Sequence, residues 1–216
     1  MSTVFVSPVV SAQRDLLAPL IASPLRGSVI SFLKEVGELL YQAFKNHDAR
    51  VVTNISNWHP DYLGGSTEKL MGAPLTRDDF RLIVAREYGW GQWTDIPESS
   101  TFFDAFEDTL ELFLAGELEL LHKQLRKKPG LTRMGSSFGH QAGLLHYAGS
   151  NGIETWRQVV PLNLPSLVHL LRSEFGADTQ VTLPVYGGQF TPLQLAETSA
   201  HPHDAGIMPS LRESLQ

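Results

Sequence analysis

Cysteine is absent from all 216 residues, which excludes thiolate nucleophiles, Cys-based zinc sites, iron–sulfur clusters and disulfide frameworks. Any chemistry the chain performs is carried by oxygen, nitrogen and apolar groups. Positive charge is also scarce. Seventeen Lys and Arg against 23 Asp and Glu leave a net charge of -6, the reverse of what neutralising nucleic-acid phosphates requires. No nucleic-acid partner is expected. Runs of about 18 strongly apolar residues are missing, so neither a spanning helix nor a membrane partner is expected. The opening stretch has one early positive charge, Arg14, and prolines at 8, 19 and 24, unlike the basic-then-apolar pattern of a secretory leader. A cytoplasmic protein is the expectation. Also lacking are the GxSxG elbow, the P-loop, HExxH and GxGxxG. No catalytic residue, cofactor or metal is therefore expected.

What the sequence does contain is helical periodicity. At this length a chain buries enough surface to fold without a covalent staple. From Ser28 onward, Val29, Phe32, Leu33, Val36, Leu39, Leu40 and Phe44 recur at three- and four-residue steps, predicting one long amphipathic helix. A second, short helix opens at Asp48 and stops at His59-Pro60. Thr76, with Asp79 three residues on, offers a capping box for a helix running to Gly89, followed by a loop from Trp90 to Pro97. Two further helices are expected over Thr101–Leu114 and Glu117–Lys128.

These helices come in pairs, and the pairs align. At a constant offset of 69, Phe44 meets Phe113, Asp48 meets Glu117, Val51 and Val52 meet Leu120 and Leu121, and Pro60 meets Pro129. Repeating helical hairpins imply a solenoid rather than a bundle. Downstream, GLLHYAGSNG (Gly143–Gly152), SLVHLLRSEFGAD (Ser166–Asp178) and FTPLQLAETS (Phe190–Ser199) resemble the ankyrin repeat, with Gly143 where that pattern has Thr and Gln194 where it has His. Together with LTRDDFRLIVAREYGWGQW and AETSAHPHDAG, the chain is similar to a group of bacterial ankyrin-repeat-containing proteins. The resemblance implies an all-α, ankyrin-like solenoid of helical hairpins over residues 101–216, preceded by a divergent helical part over residues 1–100 that packs on the repeats. Leu145, Ala148, Leu167, Leu170, Leu171, Leu193 and Leu195 would then share one core. A non-catalytic module that binds another protein is the function this implies.

Leu145 and Leu193 stand 48 residues apart, against about 33 in a standard repeat. Most of the surplus falls at 153–164, in ETWRQVVPLN and its flanks. Trp156 and Arg157 are residue types that anchor interfaces. With Gln158 and the neighbouring Tyr186 they form a candidate binding surface, to which His146 and His201 are added. Two alternatives stay open. The insertion folds back and buries Trp156, or it flanks a pocket used by a small-molecule-binding protein or atypical enzyme, with His146 or His201 as acid or base. The carboxylates Asp104, Glu107, Asp108, Glu111, Glu117 and Glu119 read as a solvated face, because helical spacing sets Asp104, Asp108 and Glu111 opposite the phenylalanines. His201 and His203 read as part of a solvated turn. His146 reads as a helix histidine bonded to nearby backbone.

Overall fold

The structure, a computed structural model, describes residues 4–216. Residues 1–3, the start of the expected N-terminal part, lie outside the described residues. The fold is mostly helical, with twelve α-helices and two two-stranded sheets among the described residues. None of these helices is long and apolar enough to cross a membrane.

A short strand, β1 (Val4–Phe5), leads into a helix that the sequence reading did not anticipate, α1 (Pro8–Ile21). Pro8 occupies the first turn, where proline's fixed φ and missing N–H suit a helix start. Ser7 caps it by accepting from the Val10 amide. The expected stripe then appears as α2 (Val29–Lys45), with Val29, Phe32, Leu33, Val36, Leu40 and Phe44 all buried. After it come α3 (Val52–Trp58), α4 (Thr67–Met71) and α5 (Arg77–Glu87), the last opened by the predicted box in which Thr76 and Asp79 bond each other's backbone. α5 packs across both α2 and α3.

Next are α6 (Asp104–Leu114) and α7 (Leu118–Lys127). The 69-residue correspondence holds at the turns. His47 and Gly116 both take a left-handed φ. In each case the following amide bonds a carbonyl five residues back, Asp48 to Ala43 at 2.9 Å and Glu117 to Leu112 at 3.0 Å, closing a Schellman stop. Beyond the turn the correspondence slips by one. Val51 and Ile55 are buried in the first hairpin but Leu121 and Leu125 in the second, where Leu120 is 50% exposed. The reason is local: residues 49–51 form a 3-10 turn before α3, and its tighter winding rotates the buried face.

The rest of the chain comprises α8 (Leu144–Ala148), β2 (Val160–Pro161), α9 (Leu164–Ser173), the hairpin β3 (Leu183–Val185) and β4 (Gly188–Phe190), then α10 (Pro192–Thr198), α11 (Ala200–Asp204) and α12 (Met208–Leu215). Helix pairs α6/α7, α8/α9 and α10/α12 sit side by side, with α6 on α8, α8 on α10, α7 on α9 and α9 on α12. Leu145, Ala148, Leu167, Leu170, Leu171 and Leu195 are buried in one cluster, with Leu193 half-buried against it.

The two parts interpenetrate. Val10 of α1 belongs to the core of the C-terminal helices, while Phe138 and Trp156 belong to the core of the N-terminal ones. Phe138 meets Tyr88 edge-on at 4.6 Å and Phe102 at 5.5 Å. β1 pairs antiparallel with β2, Val4 opposite Pro161 and Phe5 opposite Val160.

Candidate functional site

Residues 153–164 fold inward. Trp156 is 3% exposed and Arg157 0%, so the expected exposed recognition surface is not where these two side chains lie. The cause is a set of bonds that reach both parts of the fold. A 3-10 turn, Thr155–Arg157, aims three successive side chains in different directions. The Glu87 carboxylate accepts from the Thr155 amide at 3.1 Å and its hydroxyl at 2.7 Å. Trp156 donates its indole N–H to the Tyr88 hydroxyl at 3.1 Å, and its carbonyl accepts from Arg14 at 3.1 Å. Arg157 donates to Glu107 at 2.5 Å and to Glu154 at 3.2 Å, with its guanidinium 4.5 Å from the centre of the Trp156 ring.

Glu107 therefore departs from the solvated face expected for it. It is fully buried, because Arg157, fifty residues on, supplies a counter-charge that helical spacing does not reveal. Glu111 remains at the rim, 3.6 Å from Arg157. Desolvation works against the Arg157 cation, but Glu107 and Glu154 outweigh it and raise its pKa further. Burial pushes the Glu107 carboxyl up, with Arg157 opposing. Burial also acts to raise Glu154, yet His140 at 3.5 Å and Arg157 outweigh it and hold that carboxyl below its ordinary value.

Between the N-terminal helices and the β3–β4 hairpin lies a cleft of about 810 Å³ whose lining includes Trp58, Arg86, Glu87, Trp90, His140 and Tyr186. Trp58 ends α3 and Arg86 and Glu87 end α5. A close backbone approach brings in His140: Gly139 donates to the Tyr88 carbonyl at 2.9 Å, and a Cβ on Gly89 would stand only 2.1 Å from the His140 nitrogen. Gly89 also has φ +90°, so that position requires glycine twice over.

The hairpin supplies the other wall. Its two-residue turn, Tyr186-Gly187, has φ of 52° and 75°, the type I′ pattern that favours Asn or Gly. A tyrosine there costs about 1–2 kcal/mol of backbone strain. It is held by its hydroxyl, which donates to Asn151 at 2.9 Å and accepts from the Gly152 amide at 3.2 Å. The ring lies nearly parallel to Trp58, 15° between planes and 6.0 Å between centres.

The titratable groups of the cleft floor are already engaged. Besides its bonds to Thr155, Glu87 accepts from Asn54 at 2.8 Å; burial, opposed by these donors, pushes its carboxyl up. His140 accepts from the Ala142 amide through Nδ1 at 3.0 Å, which leaves the proton on Nε2, facing Glu154. Both side chains are held from the protein side, Glu87 by three donors and His140 through Nδ1, while among the described residues the His140 Nε2 makes no hydrogen bond.

Of the residues singled out in the sequence, Tyr186 alone lines this cleft. Gln158 and His201 are brought together, Nε2 of the imidazole 3.1 Å from the Gln158 amide oxygen, while Gln158 also donates to the Ile153 carbonyl. They brace the insertion against α11. The HPHD segment is thus a short helix rather than a turn; His203 and Asp204 are exposed as expected, whereas His201 is half-buried and burial lowers its pKa. His146 is buried in α8, accepting from the Gly143 amide at 3.0 Å. Among the described residues no group of three or more potential ligands is placed to hold a metal ion. Trp58, Trp90, Arg86 and Glu87 stand outside the site expected from the sequence. The signal available was an aromatic closing α3, Trp58, and another three residues beyond α5, Trp90.

Burial lowers the His146 pKa from 6.5 to about 4. Between these values the unfolded chain takes up a proton that the folded chain refuses. The stabilisation is therefore complete above about pH 6.5 and is lost as pH falls towards 4, a loss of about 3 kcal/mol. Urea unfolding at pH 7 and pH 4 should show wild type losing about that much more than His146→Gln; parallel losses would contradict the assignment.

No protein-family model, no curated protein and no solved structure matches the chain.

Proposed function

We propose that this protein binds a small organic molecule in the cleft between its N-terminal helices and the β3–β4 hairpin, on an ankyrin-like solenoid of helical hairpins that serves as scaffold. The observation that carries this reading is the aromatic lining, Trp58, Trp90 and Tyr186 brought together from three separate segments. A cleft of this size, mostly apolar with a few polar groups, is what ligand sites require. Tyr186 supports the reading independently: an aromatic residue is kept where the backbone favours Asn or Gly, and strain of that kind gathers at functional positions. The solenoid part is supported by the stacking of α6, α8 and α10 in one row and of α7, α9 and α12 in another. Protein recognition through Trp156 and Arg157 loses its anchors, since neither side chain reaches solvent.

The test is a thermal-shift screen with planar aromatic compounds on wild type and Tyr186→Gly. The variant removes two hydrogen bonds and relieves the turn, so its own stability should stay within about 1 kcal/mol of wild type. A compound at a hundredfold its Kd adds about 2.7 kcal/mol, or roughly 5–10 °C for a chain of this size. That shift should be seen in wild type and vanish in Tyr186→Gly. Shifts that survive the substitution would place binding elsewhere and contradict the proposal.

A further inference from the structure

We infer that the occupant of this cleft is a planar aromatic oxyanion, a ring carrying a carboxylate or phosphate. The inference rests on the cleft being the binding site and adds the charge of what it binds. Two observations point the same way. Arg86 is half-buried in the lining, and its one bond is a 3.4 Å contact to the Trp58 carbonyl. Among the described residues, no Asp or Glu oxygen lies within ion-pair distance of it; Arg14, Arg126, Arg133 and Arg172 are without an acidic partner too, but Arg86 is the arginine that lines this cleft. The carboxylate in the lining, Glu87, is turned inward, with both oxygens occupied by Thr155 and Asn54.

The charge left to an occupant is therefore positive, since the other polar side chains of the lining, Asn57 and Gln189 among them, are neutral amides that donate and accept alike. A guanidinium without a counter-ion calls for an oxyanion, and its geometry matches carboxylate and phosphate oxygens. The aromatic walls call for a flat ring, which stacks on indole and phenol faces. Neither a cation nor an aliphatic acid satisfies both requirements.

The experiment is calorimetric titration of the full chain with four probes that share one ring system: 2-naphthoate, 2-naphthyl phosphate, 2-naphthamide and 2-naphthylmethylammonium. One or both oxyanions should bind about tenfold tighter than the neutral amide, the scale of one charged hydrogen bond. The stronger of the two identifies the anion. Arg86→Gln should erase that tenfold preference, with a circular-dichroism spectrum and thermal midpoint matching wild type to show that the variant is folded, and Arg86→Lys should restore part of it. Equal binding of amide and oxyanions, preference for the ammonium probe, or indifference to Arg86→Gln would overturn the anion inference while the cleft stands, provided Tyr186→Gly abolishes binding. Failure of all four probes to bind, or binding that survives Tyr186→Gly, would bring down the cleft reading and the inference with it.

Discussion

Arg157→Ala is expected to destabilise the protein by about 3–5 kcal/mol, because it strands two carboxylates in the interior without a counter-charge. Glu107 and Glu154 are both fully buried, and Arg157 bonds each of them. The intact cluster is not thereby a large source of net stability, since taking three charges out of water costs much of what their attraction returns. The asymmetry has a measurable signature. Removing Arg157 and Glu107 together should cost less than the two single losses added, since the second change removes a charge the first left unpaired. The penalty should also depend on pH in a fixed direction. Burial already raises the Glu107 carboxyl, and without Arg157 it rises further, so the folded variant holds a proton that the unfolded chain releases. Its stability then falls as pH rises. Denaturant midpoints of Arg157→Ala and wild type should lie further apart at pH 8 than at pH 5; a penalty below about 0.5 kcal/mol, the scale of an exposed substitution, would mean that Arg157 is not interior.

Trp156→Ala should cost a similar amount, about 3–5 kcal/mol, as truncation of a buried Trp does. Its ring fills the core of the N-terminal helices, its N–H satisfies the Tyr88 hydroxyl and its face carries the Arg157 guanidinium. Trp156→Phe retains most of the packing and should cost clearly less. The losses of Trp156 and Arg157 should not add, because the two side chains touch. If Trp156→Ala shifted the thermal midpoint by no more than about 2 °C, the insertion would be a surface loop after all.

Local order was readable in the sequence where the signal is local. The stripe from Val29 to Phe44 and the Thr76–Asp79 box each depend on residues within a turn or two. The surplus at 153–164 was readable as well, as chain that helix stacking alone does not require. What escaped is the set of long-range pairings. Glu107 stands at the edge of the apolar stripe of α6, three residues before Leu110 and seven before Leu114, and no spacing shows that Arg157 arrives fifty residues later to pair it. Glu87 and Thr155 are 68 residues apart, and no spacing rule links them. The cleft escaped for the same reason: Trp58, Trp90 and Tyr186 carry no shared motif and meet only once the hairpin folds over the ends of α3 and α5. α1 lies within the first 27 residues, where the sequence reading placed no individual element; Pro8 marks its start.

The four tryptophans make the most direct test, since each indole N–H gives its own signal in a two-dimensional NMR spectrum. Trp58 and Trp90 line the cleft, Trp156 is sealed beneath Tyr88, and Trp93 lies outside the lining. On titration with 2-naphthoate the account predicts that the Trp58 and Trp90 signals move together and saturate, while those of Trp93 and Trp156 stay in place. Movement of the Trp156 signal with Trp58 and Trp90 unmoved would contradict it.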